Sequence, residues 1–165
     1  MTSFHAFSLW LHILSVALWV GSLVFFLIVF GPAVHSLPPQ AGIRSLDQGR
    51  RRLETLSWVA ISILLITGIV SFLLRGMITG FHLGIGYYSV LSIKLVLFLA
   101  MAFHHCLQAF KYGPKIMSLT VEAREEPETW PEPLLSCWKK WFVLSKINAT
   151  LGAILLLFGL ALTRI

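Results

Sequence analysis

The feature that most constrains this chain is an uninterrupted apolar run near its start. The run Phe7–Phe30 reads FSLWLHILSVALWVGSLVFFLIVF, and His12 is its only titratable side chain. A helix needs about 20 such residues to cross a hydrocarbon core about 30 Å thick. A histidine within that layer is costly unless something satisfies it. The run therefore predicts a membrane-spanning helix with an imidazole in its apolar part.

The more polar side chains of this run recur every three or four residues, so on a helix they share one face. They are Ser8, His12, Ser15, Trp19 and Ser22. Such a stripe is unfavourable against lipid, and we expect it to face other helices. We accordingly predict that His12, Ser15 and Trp19 contribute to whatever site the helices enclose.

Three further apolar runs follow, at Leu56–Leu74, Tyr88–Phe110 and Val143–Leu162. The chain has 165 residues, of which 57% are hydrophobic and 12% charged, as is typical of a membrane protein. The predicted fold class is all-α: an integral membrane four-helix bundle. It forms a single transmembrane domain over residues 1–165, with spans at approximately 7–30, 56–74, 88–110 and 143–162. No internal repeat is evident from the residues alone.

Basic side chains concentrate in the two long connections, 31–55 and 111–142. Ten lie there or just beyond, against two on the opposite side, Arg75 and Arg164; the ten are Arg44, Arg50, Arg51, Arg52, Lys111, Lys115, Arg124, Lys139, Lys140 and Lys146. The positive-inside rule then predicts cytoplasmic long connections and two periplasmic termini. This is the expected topology of a multi-pass protein of the bacterial cytoplasmic (inner) membrane. Topology also explains the net charge of +6 without a nucleic-acid partner.

Two expectations concern the connections themselves. Ala41–Leu53 contains only weak helix breakers, so it can continue the second helix into the cytoplasm. The glutamates of the second connection are interspersed with prolines, which favours a solvated loop; they are Glu122, Glu125, Glu126, Glu128 and Glu132.

Lys94 is the second ionisable group that needs an explanation, because it lies six residues into the third span. His12 lies five residues into the first span, which runs in the same direction. At about 1.5 Å per residue, both side chains lie roughly 8–9 Å below the outer boundary. Lys94 can snorkel to the headgroups and His12 can hydrogen-bond to a neighbouring helix. Their common depth instead favours a shared site in which imidazole and a neutral amine are the two axial ligands of haem iron.

A weaker second site is predicted from Met101 and His105, which share a helix face with Lys94. His105 lies about 16 Å deeper than Lys94 by helical rise, so His12 and His105 cannot ligate one iron. The favoured alternative is that His104 and His105 form hydrogen bonds near the inner interface. His5, His35 and His82 lie outside the spans and receive no role.

Small residues indicate where a cofactor or a neighbouring helix can approach the backbone closely. Gly68 and Ser71 share one face of the second span, and we predict that both contribute to cofactor binding. Gly152 and Gly159 share one face of the fourth span.

Four stretches resemble a bacterial membrane superfamily that includes HemJ-type protoporphyrinogen oxidases and copper-resistance D (CopD) proteins. They are LHILSVALWVG, IKLVLFLAMAFHH, RRLETLSWVAISILLITGI and SKINATLGAILLLFGLAL, which cover most of the chain. The resemblance implies a b-type haem held by His12 and Lys94, and a histidine at His105. After the first-helix glycine this chain reads GSLVFFLIVFGPAVHS, which lacks the arginine of HemJ-type proteins and is closer to CopD-like ones.

Three functions follow from these residues. The first is haem-b-dependent electron transfer with a quinone or a partner protein. The second is copper transport or copper tolerance without haem, using Met77, Met101 and the histidines as soft donors. The third is HemJ-like protoporphyrinogen oxidation, which would make the protein an oxidoreductase. Membrane lipid is the surrounding partner in each case. An accessory subunit of an oligomer or larger complex is a further alternative.

Overall fold

The computed structural model of the chain describes residues 2–82, 84–123 and 129–162, and in these ranges it is helical, without strands. Six α-helices follow one another: α1 (Thr2–Phe25), α2 (Gly31–His35), α3 (Pro39–Thr79), α4 (Ile85–Cys106), α5 (Gly113–Glu122) and α6 (Glu132–Leu162). Two short π-helical turns, Phe26–Phe30 and Leu107–Tyr112, join α1 to α2 and α4 to α5 without interrupting the helix.

Four continuous helical rods are long and apolar enough to cross a membrane: Ser3–His35, Pro39–Thr79, Ile85–Glu122 and Glu132–Gly159. The all-α class and the presence of four helices able to span a membrane are thereby confirmed. The orientation of the termini stays a prediction.

The rods extend well beyond the apolar runs. The expected continuation through Ala41–Leu53 is confirmed, because α3 begins at Pro39. Treating 31–55 and 111–142 as connections was wrong for most of their length, since amphipathic helix continues past the apolar boundary. Glu122 ends α5 and Glu132 begins α6, so neither lies in a loop. Glu125, Glu126, Glu128 and Arg124, like Arg164, lie outside the described residues.

The rods are arranged in the order α3, α1, α6, α4 around the bundle. α1 packs along α3, α4 packs along α6, and α1 and α6 join the two pairs. α3 and α4 touch near both ends: the Arg75 guanidinium lies 4.6 Å from the centre of the Tyr87 ring at the outer end, and the Trp58 ring packs edge-on against His105 at 4.9 Å at the inner end. Between these two contacts the helices leave a gap.

The two π turns have the same cause. Each precedes a Gly-Pro pair, Gly31-Pro32 or Gly113-Pro114. Proline has no N–H to donate to the carbonyl four residues earlier, and its ring clashes with that carbonyl. The helix widens by one residue there, so that the Gly31 N–H donates to the Phe26 carbonyl and the Gly113 N–H to the Gln108 carbonyl. Glycine fits this position: a Cβ on Gly113 would lie only 2.8 Å from Arg50 Nη1.

These turns reveal a repeat that the sequence alone did not make evident. The separation along the chain from His12 to Gly31 is identical to the separation from Lys94 to Gly113. The two rods therefore have the same architecture, with an ionisable residue at matching distance from the same helix defect. This equal separation is consistent with the equal depth of His12 and Lys94 that we inferred from the span boundaries.

Candidate functional site

His12 is held by a hydrogen bond to the second rod. Its Nδ1 lies 2.7 Å from Thr67 Oγ1, and the Thr67 hydroxyl is itself 2.7 Å from the Ile63 carbonyl oxygen. The Thr67 hydroxyl can donate its one proton to this carbonyl and accept from the His12 Nδ1–H. In that tautomer the Nε2 of His12 carries the lone pair. Metal-binding histidines are commonly oriented in this way, by a hydrogen bond from the other ring nitrogen.

Lys94 is half-buried, and no hydrogen-bond or salt-bridge partner for its Nζ occurs among the described residues. The amine lies close enough to His12 to interact with it electrostatically. A Cβ placed on Gly159 of α6 would lie 4.0 Å from the Lys94 Nζ. The amine therefore points inward over a glycine rather than outward to the headgroups, which disfavours snorkelling.

Both side chains line one cleft between the outer halves of α3 and α4. The cleft has a volume of about 280 Å³ and is backed by α1 and α6. The cleft is open on one side, through the gap between α3 and α4. A ligand that enters from the lipid can therefore project out of the cleft, so this volume does not limit its length. The lining is apolar apart from His12 and Lys94, and consists otherwise of Val16, Trp19, Val20, Leu64, Leu65, Gly68, Ile69, Phe72, Leu91, Leu95, Phe98, Met101, Gly152 and Leu155.

Glycines make the space around the two nitrogen donors. A Cβ on Gly68 would lie 3.8 Å from His12 Cε1, so any larger side chain there would press on the imidazole. Gly159 has the corresponding position beside Lys94. Gly152 lies deeper, where a Cβ would approach Val20 Cγ2 to 2.6 Å, so glycine allows α6 to pack closely against α1.

The structure brings together four of the six residues predicted to bind a cofactor: His12, Lys94, Trp19 and Gly68. Ser15 and Ser71 are not in the lining. Ser15 is buried, and its hydroxyl donates to the Leu11 carbonyl at 2.8 Å within its own helix. The expectation that the polar stripe of α1 faces other helices holds for Ser8, Ser15 and Trp19, which are all buried.

The two residues of the weaker second site separate. Met101 is buried and lines the same cleft as His12 and Lys94, at its inner end. His105 lies one turn deeper, buried against Trp58 and outside the lining, with Nε2 unpartnered among the described residues. Met101 thus belongs to the outer cleft. His105 belongs to the contact that closes the bundle below it.

Two features of the site were not anticipated. Thr67 was missed because a threonine in an apolar helix commonly bonds only to its own backbone; its position next to Gly68 was the available signal. The Trp19 indole N–H, buried in the cleft wall, has no acceptor among the described residues. It is a free hydrogen-bond donor for a polar group on a bound molecule.

The donors favour one kind of ligand. The cleft offers two nitrogen atoms near its outer end and one thioether deeper in. A structural zinc ion takes four protein ligands, more than this cleft offers, whereas iron that already has a macrocycle in its plane needs one or two from the protein. A flat, apolar, metal-containing cofactor therefore fits these residues better than a bare zinc ion does.

Comparison of the chain with known protein families, with curated proteins and with solved structures returns no match.

Proposed function

We propose that this chain is an integral membrane protein that binds haem b and transfers electrons, in the manner of the CopD/HemJ-like superfamily that its sequence resembles. One observation carries the proposal: the free Nε2 of His12 and the unpartnered amine of Lys94 line the same apolar cleft. No carboxylate is among the cleft residues, so two cationic side chains there would be uncompensated. Coordination by their neutral forms removes that cost.

Each residue has a distinct task in this proposal. His12 and Lys94 would hold the haem iron, and Thr67 would fix the tautomer and the orientation of His12. The apolar walls exclude water and so influence the reduction potential. The bound haem supplies the one-electron chemistry, and the protein supplies ligation, orientation and dielectric. A quinone or a partner protein exchanges the electron at the open side of the cleft, between α3 and α4.

An absorption spectrum of the detergent-purified protein tests this directly. We expect a Soret band and, on reduction, the α-band of a six-coordinate b-type haem, with iron present at the stoichiometry of the chain. His12→Ala should remove the haem. His5→Ala removes an exposed histidine from the same helix and should change nothing. A protein without a Soret band after expression with adequate haem supply would contradict the proposal.

A second candidate is copper binding without haem, which is favoured by Met101 in the same cleft as His12. Thioether and imidazole suit copper, whereas an amine is a poor ligand for Cu(I). This candidate predicts that Lys94→Leu retains metal, while the haem proposal predicts loss of the low-spin spectrum, because leucine cannot ligate iron. Metal analysis of the two purified proteins separates them. Porphyrinogen oxidation remains a third prediction, to be tested by activity of the haem-loaded protein.

The orientation belongs to the same proposal. Both termini are periplasmic in a bacterial inner membrane, which puts the His12–Lys94 level near the periplasmic side. Single cysteines introduced near Phe4 and near Lys115 should then react with an impermeant maleimide from opposite sides of the membrane. Labelling of both from the same side would overturn this orientation.

A further inference from the structure

A second, polar groove lies at the other end of the molecule, between the inner part of α3 and α5. It has a volume of about 740 Å³ and is lined by Arg44, Asp47, Gln48, Arg51, Arg52, Thr55 and Thr120. All but Thr120 come from one long face of α3. The groove is remote from the apolar cleft and shares no lining residue with it.

The charges in this groove do not cancel. Asp47 is buried, and its two carboxylate oxygens are already taken: Arg50 Nη2 lies 2.7 Å from Oδ1, and Arg51 Nη2 lies 2.5 Å from Oδ2. Arg44 and Arg52 have no acidic partner among the described residues. Among the described residues the groove therefore presents two guanidinium groups without an acidic partner, and a guanidinium matches the geometry of a phosphate.

Thr120 gives an independent indication of a ligand. Its side chain is only 7% exposed, and its hydroxyl has no hydrogen-bond partner among the described residues. Other helical threonines satisfy the hydroxyl on a carbonyl four residues earlier, as Thr55, Thr67, Thr79 and Thr150 do. A buried hydroxyl without a partner is destabilising. Because Thr120 lines the basic groove, a small movement of this side chain brings its hydroxyl to a bound anion.

The position of the groove along α3 favours a lipid as the source of that anion. Thr55 immediately precedes the apolar span that starts at Leu56, and Arg51 and Arg52 lie about 6–8 Å beyond this boundary by helical rise. A headgroup layer is of this thickness, since the bilayer is about 30 Å without its interfaces and about 40–45 Å with them. Arg51 and Arg52 are therefore at the depth of lipid phosphates, whereas Arg44, about 18 Å beyond the boundary, lies at the aqueous end of the groove.

We propose that the groove between α3 and α5 is a binding site for the phosphate of an anionic phospholipid. Arg52 contacts the phosphate oxygens, and Arg44 and Thr120 contact the part of the headgroup that extends from the phosphate towards the aqueous phase. Arg51 adds its charge at the rim while remaining paired with Asp47. The buried ion pair between Asp47 and Arg50 stabilises the face of α3 that carries the exposed arginines.

Native mass spectrometry of the detergent-purified full chain, titrated with phosphatidylglycerol or phosphatidylcholine, tests the site. We expect phosphatidylglycerol to bind more tightly. Arg44→Gln combined with Arg52→Gln should weaken its binding about fivefold for each arginine removed. The matched control, Lys115→Gln with Lys139→Gln, removes two exposed charges from the same end but outside the groove, and should weaken binding less than twofold.

Thr120→Val provides a test that does not change the charge. In the lipid-free protein it removes an unsatisfied hydroxyl, so stability should stay equal or rise. Binding of phosphatidylglycerol should nevertheless weaken severalfold. Equal losses in the arginine and lysine pairs, or unchanged binding in Thr120→Val, would overturn the proposed site. Displacement of the lipid by millimolar inorganic phosphate would overturn the lipid assignment and identify a soluble anion as the ligand.

Discussion

The two rods α1–α2 and α4–α5 share one arrangement: an ionisable side chain is followed, at the same separation, by a Gly-Pro π turn. The side chains along the two rods nevertheless differ. At the donor level both carry a metal-binding type of side chain, His12 or Lys94. Deeper, the first rod presents apolar or aromatic side chains where the second presents more polar or softer ones. The matched pairs are Trp19 with Met101, Leu23 with His105, and Phe26 with Gln108.

This comparison distinguishes the positions of the two residues, which depend on the backbone, from their chemical surroundings, which depend on neighbouring side chains. The shared helix defects follow His12 and Lys94 at the same separation along the chain, on diagonal rods of the bundle. The surroundings of the two side chains differ: His12 is hydrogen-bonded to Thr67, while Lys94 has no hydrogen-bond partner among the described residues. The two proposed haem ligands are thus alike in their position along the rods and differ in how firmly they are held.

The largest expected effect comes from removing the donors one at a time. His12→Ala should lower haem affinity by more than about 100-fold, because it removes the braced ligand itself, and loss of a bracing group alone costs about 10–100-fold. Lys94→Ala should cost less and convert the haem to a high-spin form that retains His12. Lys94→His should restore a low-spin spectrum. Haem content and absorption spectra measure all three, and equal losses for His12→Ala and Lys94→Ala would contradict this difference.

Thr67→Val tests whether the hydrogen bond between His12 and Thr67 orients the imidazole. The substitution keeps the shape but leaves the His12 Nδ1–H without an acceptor, so haem should dissociate about 10–100-fold faster. Transfer of haem to apomyoglobin measures the rate. Thr150→Val is the matched control, because Thr150 makes the same bond to the carbonyl four residues earlier but is exposed and contacts no histidine. An unchanged rate in Thr67→Val would mean that the imidazole is not oriented by this bond.

A third comparison concerns the π turns. Gln108 is buried, and its Nε2 donates to the Trp141 carbonyl at 3.1 Å and to Ser145 Oγ at 2.6 Å. Gln108→Leu should destabilise the protein by about 1–3 kcal/mol, since it removes two buried hydrogen bonds. Gln48→Leu, at an exposed position of α3, should stay within about 0.5 kcal/mol. Thermal unfolding in detergent measures both, and similar values would argue against a structural role for the polar second turn.

The smallest effect is expected at the glycines. In Gly152→Ala the new Cβ would meet Val20 Cγ2 at 2.6 Å, so α1 and α6 must separate slightly, at a cost of about 1 kcal/mol after the gain in helix propensity. Gly21→Ala has nothing within 4 Å of the new Cβ and should stabilise by up to about 1 kcal/mol. Opposite signs are the expected result in thermal unfolding, and two stabilised variants would contradict close packing at Gly152.

The sequence predicted the parts of this molecule that depend on hydropathy and helical rise. The four rods follow from runs such as Phe7–Phe30, and the common level of His12 and Lys94 follows from counting residues. Helix ends were less predictable, because α3 continues through charged residues that a hydropathy argument assigns to a loop. Arg50, Asp47 and Glu54 support one another there at spacings of three and four residues.

The missing parts depend on which helices are neighbours. A one-dimensional pattern does not say that Thr67 lies beside His12, 55 residues away along the chain. It also does not distinguish Ser15, which is satisfied on its own helix, from Trp19, which lines the cleft. The repeat was missed because it consists of a backbone defect and a distance, and apolar side chains can change freely between the two copies.

The gap between α3 and α4 has a kinetic consequence. A reactant that reaches His12 and Lys94 through it arrives by two-dimensional diffusion among acyl chains, never from bulk water. In reconstituted vesicles the rate of reaction at the cleft should accordingly be proportional to the mole fraction of a hydrophobic reactant in the bilayer. Doubling the aqueous volume at constant lipid should leave that rate unchanged.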